Sequence, residues 1–264
     1  MILVSDNIHI INKTIAKAIE TFDPGPVRDL VLKINKSGAK IIDINPGPMS
    51  KDREKKMAFL INTVQEATDL RLCLDSPDPD TLKAGLTACK KKPIINGFSL
   101  EPHKLDKILP LAVQYETEII GFLLSPDGKV PNDLDERLSL ASALAEGAWT
   151  SGLAPDQLII DPVVVPISWD DGTRQARDVL LCIRLLPELL GFPVKTIVGL
   201  SNLTSRTTGN DSFPLLEEIY LAMLAQAGLD MALLNVFRKR SMATSYLCDA
   251  IQNARVLSWA EIKM

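Results

Sequence analysis

Eight short apolar runs, each followed by an amphipathic stretch, constrain this chain more than any other feature. The runs occupy residues 2–4, 39–44, 71–74, 93–95, 118–124, 157–160, 194–200 and 231–234. They are rich in Ile, Leu and Val and do not alternate polar with apolar, which is the pattern of strands buried on both faces. Segments 27–37, 52–68, 80–90, 101–115, 133–151, 175–190, 214–227 and 241–251 lie between and after them. These carry apolar residues at helical intervals, as Met57, Leu60, Ile61 and Val64 do. Strand and helix alternating eight times predict a parallel sheet, and eight such units close into a (β/α)8 TIM barrel. The 264 residues match the roughly 250 typical of that fold. An open doubly wound sheet is the runner-up. It wants a glycine-rich turn after the first strand, where this chain has Ser5-Asp6-Asn7. The one Pro/Gly-rich stretch, Asn45-Pro46-Gly47-Pro48, reads as a strand-to-helix loop. A single domain over residues 1–264 is therefore expected.

Composition narrows the function classes. A net charge of −4 argues against a nucleic-acid partner, and Lys90-Lys91-Lys92 reads as a solvated loop. The four cysteines, Cys73, Cys89, Cys182 and Cys248, are scattered, without a CxxC pair or a neighbouring histidine. They suit reduced thiols better than a zinc or iron–sulfur site. The N-terminus has no basic segment ahead of an apolar one, and no apolar run approaches the ~20 residues of a membrane span. A cytoplasmic protein without a membrane partner is expected.

In a parallel barrel the chemistry sits at the carboxyl ends of the strands. Those positions hold Ser5, Asp6 and Asn7; Asp43 and Asn45; Asp75 and Ser76; Asn96; Ser125; Asp161; Ser201 and Asn202; and Asn235. Asp, Asn and Ser also cap helices and shape turns, which accounts for Ser76, Ser125 and Asn235 without a ligand. Capping accounts poorly for Asp43, which Ile44 follows, and for Asp161, which the apolar stretch 162–166 follows. Asp75, Asn96, Asp161 and Asn202 are the leading candidates to line a ligand site.

Missing residues separate the chemistries. Lys195 begins a strand and no lysine closes one, which disfavours Schiff-base chemistry. His103 falls in the fourth loop or helix, and His9 alone cannot build a histidine metal site. Asp75 and Asp161 suit a hard cation, but Asp43 is the one further carboxylate at hand, so no bound metal is expected. No glycine-rich phosphate turn follows the last two strands. A ligand with many neutral hydrogen-bonding edges remains, since carboxylates accept from paired N–H groups while Asn amides donate and accept. A pterin ring has such an edge.

The motifs themselves resemble a known group. Asp43-Ile44-Asn45-Pro46-Gly47 resembles the D-x-N-x-G turn of pterin-binding barrels, and Leu74-Asp75-Ser76 the D-S that closes their third strand. Ile95-Asn96 resembles the fourth-strand Asn, Asp161-Pro162 the sixth-strand D-P, and Gly199-Leu200-Ser201-Asn202 the seventh-strand G-x-S-N. Five motifs in order over nearly the whole chain are similar to the methyltetrahydrofolate:corrinoid protein methyltransferases. That group includes the folate module of cobalamin-dependent methionine synthase. Dihydropteroate synthases, the other pterin-binding barrels, lack the G-x-S-N element and use a lysine near the seventh strand, whereas Lys195 lies at that strand's opposite end.

The resemblance implies that Asp75, Asn96 and Asp161 hold the pterin's amino and ring N–H groups, with Asp43, Asn45 and Ser201 in the same site. It implies that Asn202 reaches N5, the nitrogen that exchanges the methyl group. It also implies tetrahydrofolate or methyltetrahydrofolate as substrate, a corrinoid carried by a separate partner protein, and a homodimer. Two stretches depart from the pattern. The family's G-E-R-I-N-type first strand is replaced by Val4-Ser5-Asp6-Asn7-Ile8-His9, putting Asp6 or Asn7 into the pterin site. Arg206 stands near where the family has a Gln and an Arg, and is a candidate contact for the folate tail. The direction of transfer stays open, since one transition state serves both. So do a dihydropteroate-synthase-like activity and a folate-sequestering protein without turnover.

Overall fold

The structure is a computed structural model, and it describes residues 1–47, 51–205 and 213–255. Arg206 lies outside them. The strands are β1 (Ile2–His9), β2 (Ile41–Asn45), β3 (Arg71–Asp75), β4 (Ile94–Phe98), β5 (Glu118–Phe122), β6 (Leu158–Asp161), β7 (Lys195–Gly199) and β8 (Met231–Leu234). All neighbours are parallel, and β1 pairs with β8, so the sheet closes into an eight-stranded barrel as the alternation predicts. The helices are α1 (Lys13–Thr21), α2 (Pro24–Ser37), α3 (Arg53–Ala67), α4 (Pro79–Ala88), α5 (Pro102–Lys107), α6 (Leu109–Gln114), α7 (Leu134–Thr150), α8 (Gly172–Leu190), α9 (Phe213–Ala227) and α10 (Lys239–Gln252). No described helix is long and apolar enough to cross a membrane.

Three details differ from the sequence reading. The first strand runs on to His9 instead of ending at Val4. Between Ser5 and Ile8 it carries one residue more than β2 does between Ile42 and Ile44, a bulge that re-aims Asp6 and Asn7. A separate helix, α1, follows that strand. Asn12 caps it by accepting from the N–H groups of Thr14 and Ile15, and Ile15, Ala18 and Ile19 are its buried face. The stretch 101–115 is two helices, because Pro110 has no N–H to give the turn before it.

The interior is layered. Outside the barrel wall, a large cluster including Ile8, Ile42, Ile44, Leu74, Ile95 and Val198 packs against the helices. Inside, one residue from each strand forms a second cluster: Val4, Ile41, Cys73, Ile94, Ile120, Ile159, Ile197 and Met231. The next inward-facing positions, two residues on toward the strands' carboxyl ends, are Asp43, Asp75, Asn96, Phe122, Asp161 and Gly199. At the opposite end, three strands open on charged residues. Glu118 accepts from both Arg71 and Lys195, the latter at 2.5 Å. Burial raises the Glu118 carboxyl, but these two cations outweigh it and hold it below the ordinary range. The lysine that begins β7 is thus part of the barrel floor.

Candidate functional site

One cavity of about 190 Å³ opens at the carboxyl ends of the strands, lined by Asp75, Asn96, Asp161 and Asn202 over a base of Ile120, Phe122, Ile197 and Leu233. The four residues singled out from the sequence therefore line one cavity. Three of them are set by strand register: Asp75 lies opposite Asn96, and Phe122 opposite Asp161. Asn202 comes from the one-turn 3-10 helix Leu200–Thr204 that follows β7. It is exposed, and its amide lies so close over Gly199 that a Cβ there would stand 2.9 Å from Nδ2. A glycine at 199 lets the Asn202 side chain fold back toward the cavity.

A second ring of polar residues holds the first. Asn96 donates from Nδ2 to Asp43 Oδ1 at 3.1 Å, fixing the amide so that its oxygen is left for a ligand. Asp43 itself is buried behind Asn96, outside the cavity lining. Asn45 donates to Asp75 Oδ2 at 2.6 Å while its own oxygen accepts from Gly47 N–H. Asn7 donates to Asn235 at 2.8 Å and accepts from Ser5 Oγ and Val236 N–H. Ser201 bonds the Asp6 carboxyl, placing that pair beside the Asn202 turn. Asp43 and Asn45 thus hold cavity residues from behind, and Asn7 and Asn235 are tied to each other and to backbone; none of the four lines the cavity. Ser76 and Ser125 serve turns: Ser76 Oγ accepts from Asp78 N–H, and Ser125 Oγ from Lys129 N–H.

The carboxyls are electrostatically poised. Burial pushes Asp75 up to about 6, against the opposing bond from Asn45 and the charge of Lys104. Burial pushes Asp161 to about 7, opposed by its bond from Val163 N–H and by Arg137. Asp43 is driven well above the ordinary carboxylate range by burial and then by the neighbouring Asp75, and burial also raises Asp6. Acids with values near neutrality in a cleft mark sites that exchange protons or charge with a ligand. Both Asp75 and Asp161 gain by meeting N–H donors, which favour the ionised form.

Sequence reasoning did not find Arg137, which lies wholly buried on α7 and reaches the backbone after Asp161. Its signal is an arginine among the apolar positions of a helix, far from any strand end. His103 is exposed, and the Nδ1 of His9, at the end of β1, is buried without a partner. All four cysteines are free thiols. No group of three or more His, Cys, Asp or Glu is disposed to hold a metal among the described residues.

Comparison with known proteins bears on the family and the fold. A curated protein from Eubacterium limosum, methylcorrinoid:tetrahydrofolate methyltransferase, is 26% identical over 258 residues, covering 95% of this chain and 91% of its own. Among solved structures, dihydropteroate synthase from Stenotrophomonas maltophilia superposes with a TM-score of 0.72 at 15% identity, over 97% of this chain and 94% of that one. Dihydropteroate synthase from Xanthomonas albilineans, in complex with 7,8-dihydropteroate, gives 0.65 at 18% identity over 95% and 93%. At these identities the solved structures speak for the fold alone. The family model described as "Pterin binding enzyme" matches residues 12–235, from the cap of α1 to the end of the last strand. The resemblance read from the five motifs is thereby borne out: this chain belongs to the pterin-binding enzyme family.

Proposed function

We propose that the protein is a methyltransferase that moves a methyl group from a methylcorrinoid, carried by a separate protein, to N5 of tetrahydrofolate. The observation that carries this reading is the convergence of Asp75, Asn96, Asp161 and Asn202 on one cavity. The direction follows the name of the Eubacterium limosum relative, a methylcorrinoid:tetrahydrofolate methyltransferase. Asp75 and Asp161 accept from the pterin's amino and ring N–H groups, and Asn96, fixed by Asp43, supplies its free oxygen. Asn202 reaches N5. In this direction a bond forms between N5 and the methyl carbon, the cobalt–carbon bond breaks with its electron pair left on cobalt, and the N5 proton is lost. A group that bonds N5 more tightly in the transition state than in the ground state lowers the barrier. An Asn cannot give or take that proton, so Asn202 acts by hydrogen bonding and positioning. Arg206 is the candidate contact for the folate tail.

The chain acts as one domain, and as a homodimer. Leu215, Ile219 and Met223 support the dimer: they recur every fourth residue on α9 and are each about half exposed (48%, 51% and 47%). A helix face of this kind usually meets a partner. Free thiols fit a reducing, cytoplasmic compartment. The dihydropteroate-synthase alternative is disfavoured because the lysine of β7 is committed to Glu118 at the barrel floor.

Calorimetric titration with tetrahydrofolate and methyltetrahydrofolate tests the reading, repeated on Asp75→Asn, together with spectroscopic transfer from methylcobalamin. Saturable binding that weakens in the variant, with transfer by the wild type, supports it. No binding by the wild type sinks it, and binding without transfer to or from any corrinoid leaves a folate-sequestering protein.

A further inference from the structure

The backbone that follows β6 is strained. Val163 has φ of 64°, in the left-handed region, which β-branched residues rarely adopt. That conformation aims the Val163 N–H back at Asp161 Oδ1, which accepts it at 2.8 Å. One carboxylate oxygen of Asp161 is thus tied down while the residue lines the cavity. Such a conformation persists only where the surroundings impose it.

The surroundings are Arg137. This α7 residue is 0% exposed. Its Nη1 donates to the carbonyls of Pro162 and Val163, so it grips the strained turn from behind. Its Nη2 donates to Gln175 Oε1, and Gln175 is itself fixed by donating to Pro131 O at 3.0 Å and Asp171 Oδ2 at 3.1 Å. These described partners of the guanidinium are neutral, and its Nε is buried without an acceptor. A buried cation kept without a touching carboxylate is costly, and an apolar side chain of the same size would serve packing better. Asp178 and Cys182 of α8, Tyr220 of α9 and Asp161 itself are the titratable groups around it. Asp178 is already paired with Arg174 at 3.0 Å, whereas no described cation pairs with Asp161. On the cavity side Asp161 shares the space with Asp75, while its register neighbour on β5, Phe122, carries no charge.

We propose that Arg137 is a positioning residue for ligand recognition: it holds the turn of Asp161, Pro162 and Val163 in its left-handed form and supplies the positive charge behind Asp161. The inference rests on the folate reading above, because it assigns Arg137 a part in pterin binding without contact to the pterin. The two functions use different properties of the guanidinium. Its Nη1 reaches two consecutive carbonyls, and its permanent charge favours the ionised Asp161 that N–H donors require.

The test is the pH dependence of tetrahydrofolate binding, followed by calorimetry from about pH 5 to about pH 9, a range spanning the values such carboxyls take. Arg137→Met should move the midpoint for gain of affinity up by about one pH unit, which well below the midpoint is about a tenfold loss of affinity. Arg137→Gln, which keeps an amide donor for the turn but no charge, should shift the midpoint equally and stands in if the Met variant does not fold. Arg137→Lys should restore the midpoint while binding more weakly than wild type. A neutral variant that keeps the wild-type midpoint overturns the proposal, whether its affinity is intact or lowered equally at every pH. Wild-type protein that binds no tetrahydrofolate at any pH brings down the folate reading and the proposal together, an outcome distinct from the previous one.

Discussion

At the scale of single residues, the site holds acids that the fold makes uncomfortable. Asp161 is pushed to about 7 and Asp75 to about 6, from an ordinary value of 3.8. Folded-state values above the unfolded one mean that the native protein binds more protons than the unfolded chain between those limits. The stability these groups contribute is therefore full below about 3.8 and is lost as the pH rises through 6 and then 7. Asp161→Asn should accordingly stabilise the ligand-free protein at pH 8 by roughly 2 kcal/mol in a denaturant melt, while weakening folate binding at least tenfold. Equal or lower stability of that variant would mean the carboxyl is not strained by burial. Ligand N–H groups favour the ionised form, so affinity should fall as the pH drops through about 7 and then about 6, with protons released on binding near neutrality. Calorimetry in buffers of different ionisation enthalpy reads that release directly. Asn202→Ala should cut turnover by about 10²–10³ while changing Kd far less, the split expected of a group that matters most in the transition state.

At the scale of elements, the strands were legible because parallel strands buried on both faces leave uninterrupted apolar runs, and their polar termini mark the mouth directly. Asp75, Asn96, Asp161 and Asn202 were readable for that reason. What the sequence did not disclose depends on contacts between distant segments. The bulge in β1 extends the strand past Ser5, Asp6 and Asn7, polar residues that read locally as its end. Helix α1 is only nine residues long, too short to stand out by periodicity, and is held by packing and its Asn12 cap. The division between a ligand-facing ring and a supporting ring follows from register and side-chain pairing, neither of which a run of letters contains. Gly97 shows how tightly that register is set: a Cβ there would collide with the carbonyl oxygen of Ile120 on β5. Gly97→Ala should cost about 2 kcal/mol or more in unfolding free energy and displace Asn96, abolishing measurable pterin binding. A variant that folds and binds normally would show the β4–β5 contact to be slack.

At the scale of the whole molecule, the two ends of the barrel do different work. The floor pairs Arg71 and Lys195 with Glu118, and half of the Lys195 side chain is exposed. Lys195→Met should lower stability by no more than about 1 kcal/mol, since solvent screens the pair, and leave methyl transfer unchanged. A large loss of turnover would instead revive a role for this lysine in the chemistry. On the outside, Ile219→Glu, in the middle of the exposed stripe on α9, should convert a dimer to monomers by light scattering. A wild-type protein that is already monomeric would remove the stripe from the account of assembly. Between floor and mouth lies the layer of one apolar side chain per strand, from Val4 to Met231. That layer works as a gasket against water but not against charge. Arg71 below and Asp43 and Asp75 above all act on the Cys73 thiol within it, so charge at one end is felt through the dry layer toward the other.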